Sequence, residues 1–203
     1  MFKPNHVITC LGDSVTEAPE GYVTHIYRIL YVLHPDVPVR VVNAGFSGDR
    51  VTDMLARVDR DVIATKPDYV TISVGINDVW HDLLPGRHGV PLAEFRSAYE
   101  EILARLQAQT KARLYLMTTS VIGEDLANEP NRRLAQYNAV IRQASERGGH
   151  VLVDINAAFH DAIERGRLLN PVYQLTTDGV HPNPAGHLLY ALMILKAFGM
   201  PVS

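Results

Sequence analysis

His6-Val-Ile-Thr-Cys-Leu-Gly-Asp-Ser14 is the stretch from which the fold is predicted, because a mostly apolar run ends there in a glycine and two polar residues. Short runs of this kind are typical of buried strands in a parallel sheet. Five of them occur along the chain, at residues 6–11, 39–43, 69–74, 113–118 and 151–154. Segments with a longer hydrophobic period separate them, so the sequence predicts βαβ units with helices on both faces of the sheet.

The helical segments are recognised by apolar residues that recur on one face. One such face combines Phe95, Tyr99, Ile102, Leu103 and Leu106, and a second combines Leu134, Tyr137, Ile141 and Ala144. Gly148-Gly149 ends the second helix, and a last helix follows Pro184 and ends near Phe198. This pattern predicts an α/β fold, a flavodoxin-like three-layer α/β/α sandwich whose five parallel strands have the order 2-1-3-4-5. We expect residues 1–203 to form one domain.

Composition and charge exclude several classes of protein. The net charge is -3 and 47% of the residues are hydrophobic, so neither nucleic acid nor an anionic membrane surface is an expected partner. The single cysteine, Cys10, excludes an internal disulfide and is predicted to be a buried strand residue. No apolar stretch approaches the ~18 residues of a membrane span, and no signal peptide is recognised at the N-terminus. We therefore expect a cytoplasmic protein.

Polar turns that contain glycine follow the first three predicted strands, at residues 11–16, 43–48 and 75–78. A fourth polar cluster, residues 177–182, precedes the last helix. An ordinary turn would explain any one of them alone. Ligands of such sheets bind beyond the carboxyl ends of the strands, where these turns meet, so the turns together predict a site.

Residues of this site match the requirements of ester cleavage, which needs a nucleophile, a base and a group that orients the base. Ser14 follows a strand at the start of a predicted helix, where it is either a nucleophile or an N-cap. Asp178 lies three residues before His181, so the carboxylate can orient the imidazole while the other ring nitrogen faces the serine. The alternative for this pair is a polar turn with an exposed histidine.

Donors for an oxyanion complete the set. Gly45 has no side chain, so its N–H can approach a ligand closely, and the amide of Asn77 can donate a hydrogen bond. The backbone N–H of Ser14 is the third candidate donor. The alternatives are a plain tight turn for Gly45 and a turn residue bonded to its own backbone for Asn77. Asp13 and Asp78 are expected to brace the two motif loops.

Four short motifs resemble, in order, the four blocks of the SGNH (GDSL-type) hydrolases: Gly12-Asp13-Ser14, Gly45, Gly75-x-Asn77-Asp78 and Asp178-x-x-His181. This resemblance extends from residue 8 to residue 184. It implies the flavodoxin-like sandwich, no metal or other cofactor, and a serine carboxyl-ester hydrolase that acts through an acyl-enzyme. It also implies Ser14 as nucleophile, Asp178 and His181 as the rest of a triad, and Ser14, Gly45 and Asn77 as oxyanion donors.

A finer resemblance concerns the substrate. The segments Glu20-Gly-Tyr-Val23, Val41-Val-Asn-Ala-Gly-Phe-Ser-Gly48 and Gly75-Ile-Asn-Asp-Val-Trp80 are similar to those of intracellular acetyl-xylooligosaccharide esterases and related carbohydrate deacetylases. The resemblance implies removal of acetyl groups from small acetylated carbohydrates such as xylo-oligosaccharides. A short-chain esterase or lipase, or a thioesterase or lysophospholipase, is the alternative within the same family.

Three residues that flank the motifs are candidates for substrate binding. Trp80 can either stack on a sugar ring or pack in a core or an interface. Arg50 can either bind a ligand or remain a surface charge. Tyr22 is the third candidate. Asp49, directly before a helix, is predicted to be an N-cap. Residues 79–91 form the longest irregular stretch near the site and are expected to make a wall, a lid or a contact with another subunit. The apolar residues 188–195 belong to the core or to the interface of a homo-oligomer.

Two readings from other classes remain. Asp13, Asn77, Asp78, Asp178 and His181 can be imagined around the metal of a phosphoesterase, although the clustered histidines usual in such sites are missing. A carbohydrate-binding module that has lost the chemistry is the non-catalytic alternative.

Overall fold

Five parallel strands form the sheet of this protein, a computed structural model that describes residues 2–201. They are β1 (Val7–Gly12), β2 (Arg40–Gly45), β3 (Tyr69–Ser73), β4 (Arg113–Met117) and β5 (Val151–Val153). Their order is β2-β1-β3-β4-β5, which confirms the predicted topology. Residues 1 and 202–203 of the predicted domain lie outside the described residues.

The helices of the described residues begin and end as follows: α1 (Ser14–Glu17), α2 (Tyr22–Leu33), α3 (Val51–Asp61), α4 (Ile76–Trp80), α5 (Leu92–Gln109), α6 (Glu129–Gly148), α7 (Ile155–Arg167) and α8 (Pro184–Ala197). The two predicted amphipathic faces, on α5 and α6, are buried. Helix α6 ends at Gly148, and Gly149 after it has the left-handed conformation that favours glycine, as predicted. Two short 3-10 helices, Ile63–Thr65 and His81–Leu83, complete the set.

Strand side chains alternate between two apolar layers. Leu114 and Leu116 of β4 pack with α3, α5 and α6, whereas Tyr115 and Met117 of the same strand pack with α2, α7 and α8. A strand presents successive side chains to opposite faces, so each face of the sheet is covered by helices and the sandwich has three layers. Among residues 2–201, no helix is both long and apolar enough to cross a membrane.

Cys10 and the last helix show what the apolar runs contribute. Cys10 is fully buried in β1, as expected, and burial raises the pKa of its thiol to about 11. Four side chains of α8, those of Tyr190, Ala191, Ile194 and Leu195, are buried against the sheet. The core interpretation of residues 188–195 is therefore confirmed for this face, while Leu188 stays 44% exposed and the oligomer interface stays a prediction.

Candidate active site

Ser14 lies at the carboxyl end of β1 as the first residue of α1. The cap of that helix is Asp13, whose Oδ1 accepts a hydrogen bond from the N–H of Val15 at 3.0 Å. The alternative interpretation of Ser14 as an N-cap is therefore wrong, because the preceding residue occupies that position. The hydroxyl of Ser14 is left to point at the histidine of the last motif.

His181 bridges the serine and the aspartate. Its Nε2 lies 3.1 Å from Ser14 Oγ, and its Nδ1 lies 2.7 Å from Asp178 Oδ2. When Nδ1 carries the proton and donates a hydrogen bond to the carboxylate, Nε2 is free to accept the hydroxyl proton of Ser14. The tertiary fold thus brings together three residues of which the first is separated from the other two by more than half the chain.

The carboxylate of Asp178 is held in its ionised form. Burial by itself would raise its pKa, but three hydrogen bonds lower the pKa of Asp178 to about 2. The donors are the ring Nδ1 of His181 and the backbone N–H groups of His181 and Val180, at 2.7, 2.8 and 3.0 Å. Asp178 is therefore charged at neutral pH.

The loop that carries Asp178 and His181 is anchored by a residue that the sequence analysis did not single out. Glu124 Oε1 accepts hydrogen bonds from the N–H groups of Leu175 and Thr176 and from the Thr176 hydroxyl, at 2.6 to 2.8 Å. Gly123 beside it donates its N–H to the carbonyl of Gly179. A signal was present, since Gly123-Glu124 is a glycine-containing turn beyond β4, at the same edge as the other motifs.

Asn77 lies in the first turn of α4 and is 1% exposed. Its Nδ2 donates to the carbonyl of Asp49 at 3.0 Å, not to its own backbone, so that alternative is wrong. This bond uses one of the two amide hydrogens and fixes the orientation of the other. The N–H of Ser14 has no acceptor among residues 2–201, which leaves a backbone donor beside the serine hydroxyl.

Gly45 does not present a free donor, which corrects the sequence prediction. The glycine belongs to β2, and its N–H donates to the side-chain oxygen of Asn43 at 2.9 Å. A side chain at this position would overlap the backbone of Glu17, so glycine is needed for the close approach of β2 to α1. The predicted strand ended at residue 43, and the two extra residues move Gly45 out of the loop.

Gly48 has the properties that were expected of Gly45. It follows β2 in the loop that precedes α3 and has a φ of 85°, a left-handed conformation that favours glycine. No acceptor for its N–H exists among residues 2–201. Its neighbour Asp49 receives the hydrogen bond from Asn77, so Gly48 lies in the same loop as the group that orients the Asn77 amide.

Asp49 is not the N-cap of α3, because Arg50 occupies that position. Its carboxylate instead pairs with Arg57, which is 9% exposed. Arg57 also donates to the carbonyls of Gly12 and Ala44, both at 2.9 Å. One buried guanidinium thereby joins the ends of β1 and β2 to the loop that contains Gly48.

Arg57→Met is expected to destabilise the protein by about 3–5 kcal/mol, because it leaves the carboxylate of Asp49 buried without its partner. Urea unfolding measures the change. Arg60→Met is the matched control: Arg60 is on the same helix but its side chain is 77% exposed, so loss of its pair with Asp61 is expected to destabilise the protein far less. Equal effects of the two substitutions would contradict the proposed role of Arg57 in joining β1 and β2 to the loop that contains Gly48.

Asp13 and Asp78 brace the motif loops, as expected. Asp78 Oδ1 accepts the N–H of Val51 at 3.0 Å, while its Oδ2 is buried without a partner among the described residues. Burial is the main cause that raises the pKa of Asp78 to about 7, and the negative charge of Asp13 adds to it. Burial likewise raises the pKa of Asp13 to about 7.

These raised values predict a pH dependence of stability. The folded-state pKa of Asp78, about 7, lies above the ordinary value of 3.8 for an aspartate, so the stability that this group contributes is fully present below pH 3.8 and is lost as the pH rises through about 7. Asp78→Asn is therefore expected to reduce the fall in Tm between pH 5 and pH 8. Asp36→Asn, which replaces an exposed carboxyl group, serves as the control. An unchanged fall in the Asp78 variant would show that this group is already ionised at pH 5.

Tyr22 cannot bind substrate, which corrects the sequence prediction for this residue. Its side chain is fully buried, its hydroxyl bonds to Thr16 Oγ1 at 2.9 Å and its ring stacks on Tyr190. Tyr22 is the first residue of α2, and its side chain packs in the core beneath that helix. No atom of Tyr22 is available to a ligand.

Trp80 and Arg50 remain candidates. The ring of Trp80 is partly buried against the apolar layer and meets the ring of His181 edge to face, with centroids 5.7 Å apart. Arg50 is paired with Asp53 at 2.9 Å.

Residues 79–91 are more ordered than predicted, since they complete α4 and form a 3-10 helix. The N–H of Val90 donates to the carbonyl of Asp78 at 3.0 Å. Whether the segment is a wall, a lid or a subunit contact stays a prediction.

A serine, a histidine and an aspartate in hydrogen-bond contact at the carboxyl edge of an α/β/α sheet define the class of serine hydrolases. Within that class, the model of the GDSL-like lipase/acylhydrolase family matches residues 10–189, and the chain belongs to this family. It is a serine carboxyl-ester hydrolase.

Individual relatives agree with the family. An acetylxylan esterase from Geobacillus stearothermophilus is 35% identical over 207 residues, which cover 93% of this chain and 92% of the relative. A variant of Axe2, an acetyl xylan esterase from the same organism, has a TM-score of 0.89 at 31% identity and covers 100% of this chain and 98% of that chain. LAE5, an alpha/beta hydrolase from the metagenome of Lake Arreo, Spain, has a TM-score of 0.87 at 32% identity and covers 100% and 99%. Catalytic mutants of Axe2 replace a serine, an aspartate or a histidine with alanine.

Proposed function

We propose that this enzyme removes acetyl groups from small acetylated carbohydrates, xylo-oligosaccharides among them. The observation that carries this proposal is the position of Trp80, whose ring borders the catalytic histidine at 5.7 Å. An indole ring offers a flat apolar surface to the face of a sugar, and Trp80 is partly exposed. The similarity to acetylxylan esterases supports the same substrate class.

We assign the catalytic roles to the triad geometry. Ser14 Oγ attacks the ester carbonyl while His181 Nε2 takes its proton, and ionised Asp178 stabilises the imidazolium that forms. His181 then protonates the leaving alcohol of the sugar. Water, deprotonated by His181, attacks the acetyl-enzyme and releases acetate. The serine, aspartate and histidine replaced in the catalytic mutants of Axe2 support these roles.

Three donors are proposed for the oxyanion that forms on each attack: the amide of Asn77 and the backbone N–H groups of Ser14 and Gly48. The last takes the role that the sequence analysis assigned to Gly45. Both backbone groups lack an acceptor among residues 2–201, and Asn77 has a second amide hydrogen to donate. Fixed donors of this kind need no reorganisation when the negative charge develops.

Asn77→Ala is expected to lower kcat by about 100- to 1,000-fold and to change KM little, because the lost bond is made in the transition state. Steady-state kinetics on an acetyl ester measure both constants. Asn156→Ala is a control outside the site: Asn156 is an amide that donates to the carbonyl of Ser120 at 2.7 Å. A rise in KM at constant kcat in the Asn77 variant would contradict the assignment.

The substrate class is tested by comparing turnover of acetylated xylose and xylo-oligosaccharides with that of p-nitrophenyl butyrate and acyl-CoA. We expect the highest kcat/KM on the acetylated sugars. A clear preference for the butyrate ester would indicate the short-chain esterase or lipase alternative, and a preference for the thioester would indicate a thioesterase.

We further propose one domain, a cytoplasmic location and no nucleic-acid or membrane partner. The two apolar layers share one sheet, the net charge is -3 and the single cysteine is buried. Leu168, Leu169 and Val172 are more than 80% exposed after α7, which supports a homo-oligomer. Light scattering tests the oligomer, and a single cooperative unfolding transition tests the domain.

A further inference from the structure

A cleft of about 270 Å³ adjoins the loop of Gly48 and is lined by Gly48, Arg50, Asp53, His81, Arg87 and His88. Two arginines and two histidines face a single carboxylate there. We propose that this cleft binds a negatively charged group, a carboxylate or a phosphate, on the alcohol part of the substrate, with Arg87 as its main ligand. The inference rests on the proposed function, in which the acyl part is an uncharged acetyl group.

The first arginine of the cleft is already neutralised. Arg50 donates to both oxygens of Asp53, at 2.9 and 3.3 Å, and to the carbonyl of His88 at 3.2 Å. Its three guanidinium nitrogens all have acceptors, and its charge is balanced by the only carboxylate that lines the cleft. Arg50 therefore has less to offer an anion than an arginine whose charge is not balanced by a carboxylate.

Arg87 is different, because no carboxylate lies within 4 Å of it among residues 2–201. Within the same residues, the one side-chain hydrogen bond of Arg87 joins its NH1 to Nε2 of His81 at 3.1 Å. His81 is 6% exposed, and burial followed by the charge of Arg87 lowers its pKa, which favours the neutral ring that can accept from the guanidinium. The other edge of the guanidinium, Nε and NH2, is open and has the spacing that matches a carboxylate or phosphate.

The turn that carries Arg87 is held in place. The N–H of Arg87 donates to the carbonyl of Leu84, and the N–H of Gly89 donates to Asp82 Oδ1 at 2.8 Å. Asp82 is in turn fixed by Arg133 at 2.6 Å. Less conformational entropy is therefore lost when a ligand binds the guanidinium than would be lost on a mobile loop.

The cleft is close to the reacting atoms. NH1 of Arg87 lies 3.7 Å from the place that a β-carbon on Gly48 would occupy, beside the proposed oxyanion donor. On the other side, His81 follows Trp80, whose ring is 5.7 Å from that of His181. A short oligosaccharide whose acetyl group is at Ser14 and whose ring rests on Trp80 can thus place an acidic substituent against Arg87.

The test compares pairs of acetylated substrates that differ in one charge: xylo-oligosaccharides with and without a glucuronic acid substituent, and acetylated glucose with and without a phosphate. We expect the native enzyme to have the higher kcat/KM on the charged member of at least one pair. The pair that shows this preference tells whether the cleft binds a carboxylate or a phosphate. The ratio of kcat/KM, charged to neutral, is expected to fall about tenfold in Arg87→Gln. It should also decrease with added salt, which screens exposed charges.

Arg96→Gln is the matched control, since Arg96 on α5 bonds to Gln143 and to no carboxylate among the described residues; it should keep the native ratio. Equal kcat/KM for charged and neutral substrates in the native enzyme, or a ratio that survives Arg87→Gln, would overturn the inference while the proposed function stands. Failure to hydrolyse any acetylated sugar would overturn both.

Discussion

Ser14→Ala is expected to lower kcat by about 10⁶-fold, because the variant keeps the oxyanion donors but has no nucleophile to form the acyl-enzyme. The hydroxyl makes one hydrogen bond within the described residues, to His181 at 3.1 Å, so the fold should be retained. Turnover of an acetyl ester measures the loss, and the change in unfolding free energy should stay within about 1 kcal/mol.

Labelling with a fluorophosphonate separates the chemical from the structural effect of this substitution. The native enzyme should be labelled at Ser14, and the alanine variant should not be labelled. Ser97→Ala is the control, since Ser97 is exposed on α5 and its hydroxyl bonds only to the carbonyl of Ala93. Labelling that persists in Ser14→Ala would assign the nucleophile to another residue.

Asp178→Asn is expected to lower kcat by about 10⁴-fold, the loss known for this substitution in the serine-protease triad. An asparagine can keep the two backbone hydrogen bonds from Val180 and His181, so the loop is retained. Its amide hydrogens, however, face Nδ1 of His181 and favour the ring form in which Nε2 carries the proton. That form cannot accept the proton of Ser14.

Asp125→Asn is the matched control for this prediction. Its carboxylate accepts the N–H of the residue two positions later, Ala127, as Asp178 accepts that of Val180, but it has no histidine beside it. Its kcat should equal that of the native enzyme. A loss of kcat in Asp178→Asn accompanied by an equal loss of folded protein would contradict the proposed role.

The pH profile follows from the same geometry. Because its hydrogen bonds lower the pKa of Asp178 to about 2, this carboxylate stays ionised at mildly acid pH. A histidine must be neutral to take the proton of a serine, so we expect activity to decrease as the pH is lowered. Activity that is constant from pH 8 to pH 4 would exclude histidine as the base.

Local sequence patterns were sufficient to predict the strands and to single out Ser14, Asp178 and His181. Each strand was found within two residues of its bounds, because buried parallel strands are short apolar runs that local pattern reveals. Ser14, Asp178 and His181 were found because the carboxyl ends of parallel strands meet at one edge, which places distant motifs together. The spacing of Asp178 and His181 is local, so their contact required no knowledge of the rest of the chain.

Two residues were assigned wrongly from the sequence. Their roles depend on the residues packed around them or on where a strand ends. Gly45 was assigned as an oxyanion donor because the predicted β2 ended two residues early, and this shift exchanged a strand glycine for the loop glycine Gly48. Tyr22 was assigned to the substrate because a helix start near a motif does not show which way its first side chain points.

The sequence by itself predicted the strand order and the family, and it singled out the serine, aspartate and histidine that the structure places in contact, because short apolar runs mark the strands and each motif is short. Only the tertiary structure decided which donors lack an acceptor within residues 2–201, and that no carboxylate of these residues pairs with Arg87. It also decided that Arg57 holds the loop of Gly48 and that Glu124 anchors the loop of His181. The physical reason is that an unpaired donor or charge is defined by every group around it, and those groups come from segments far apart in the chain.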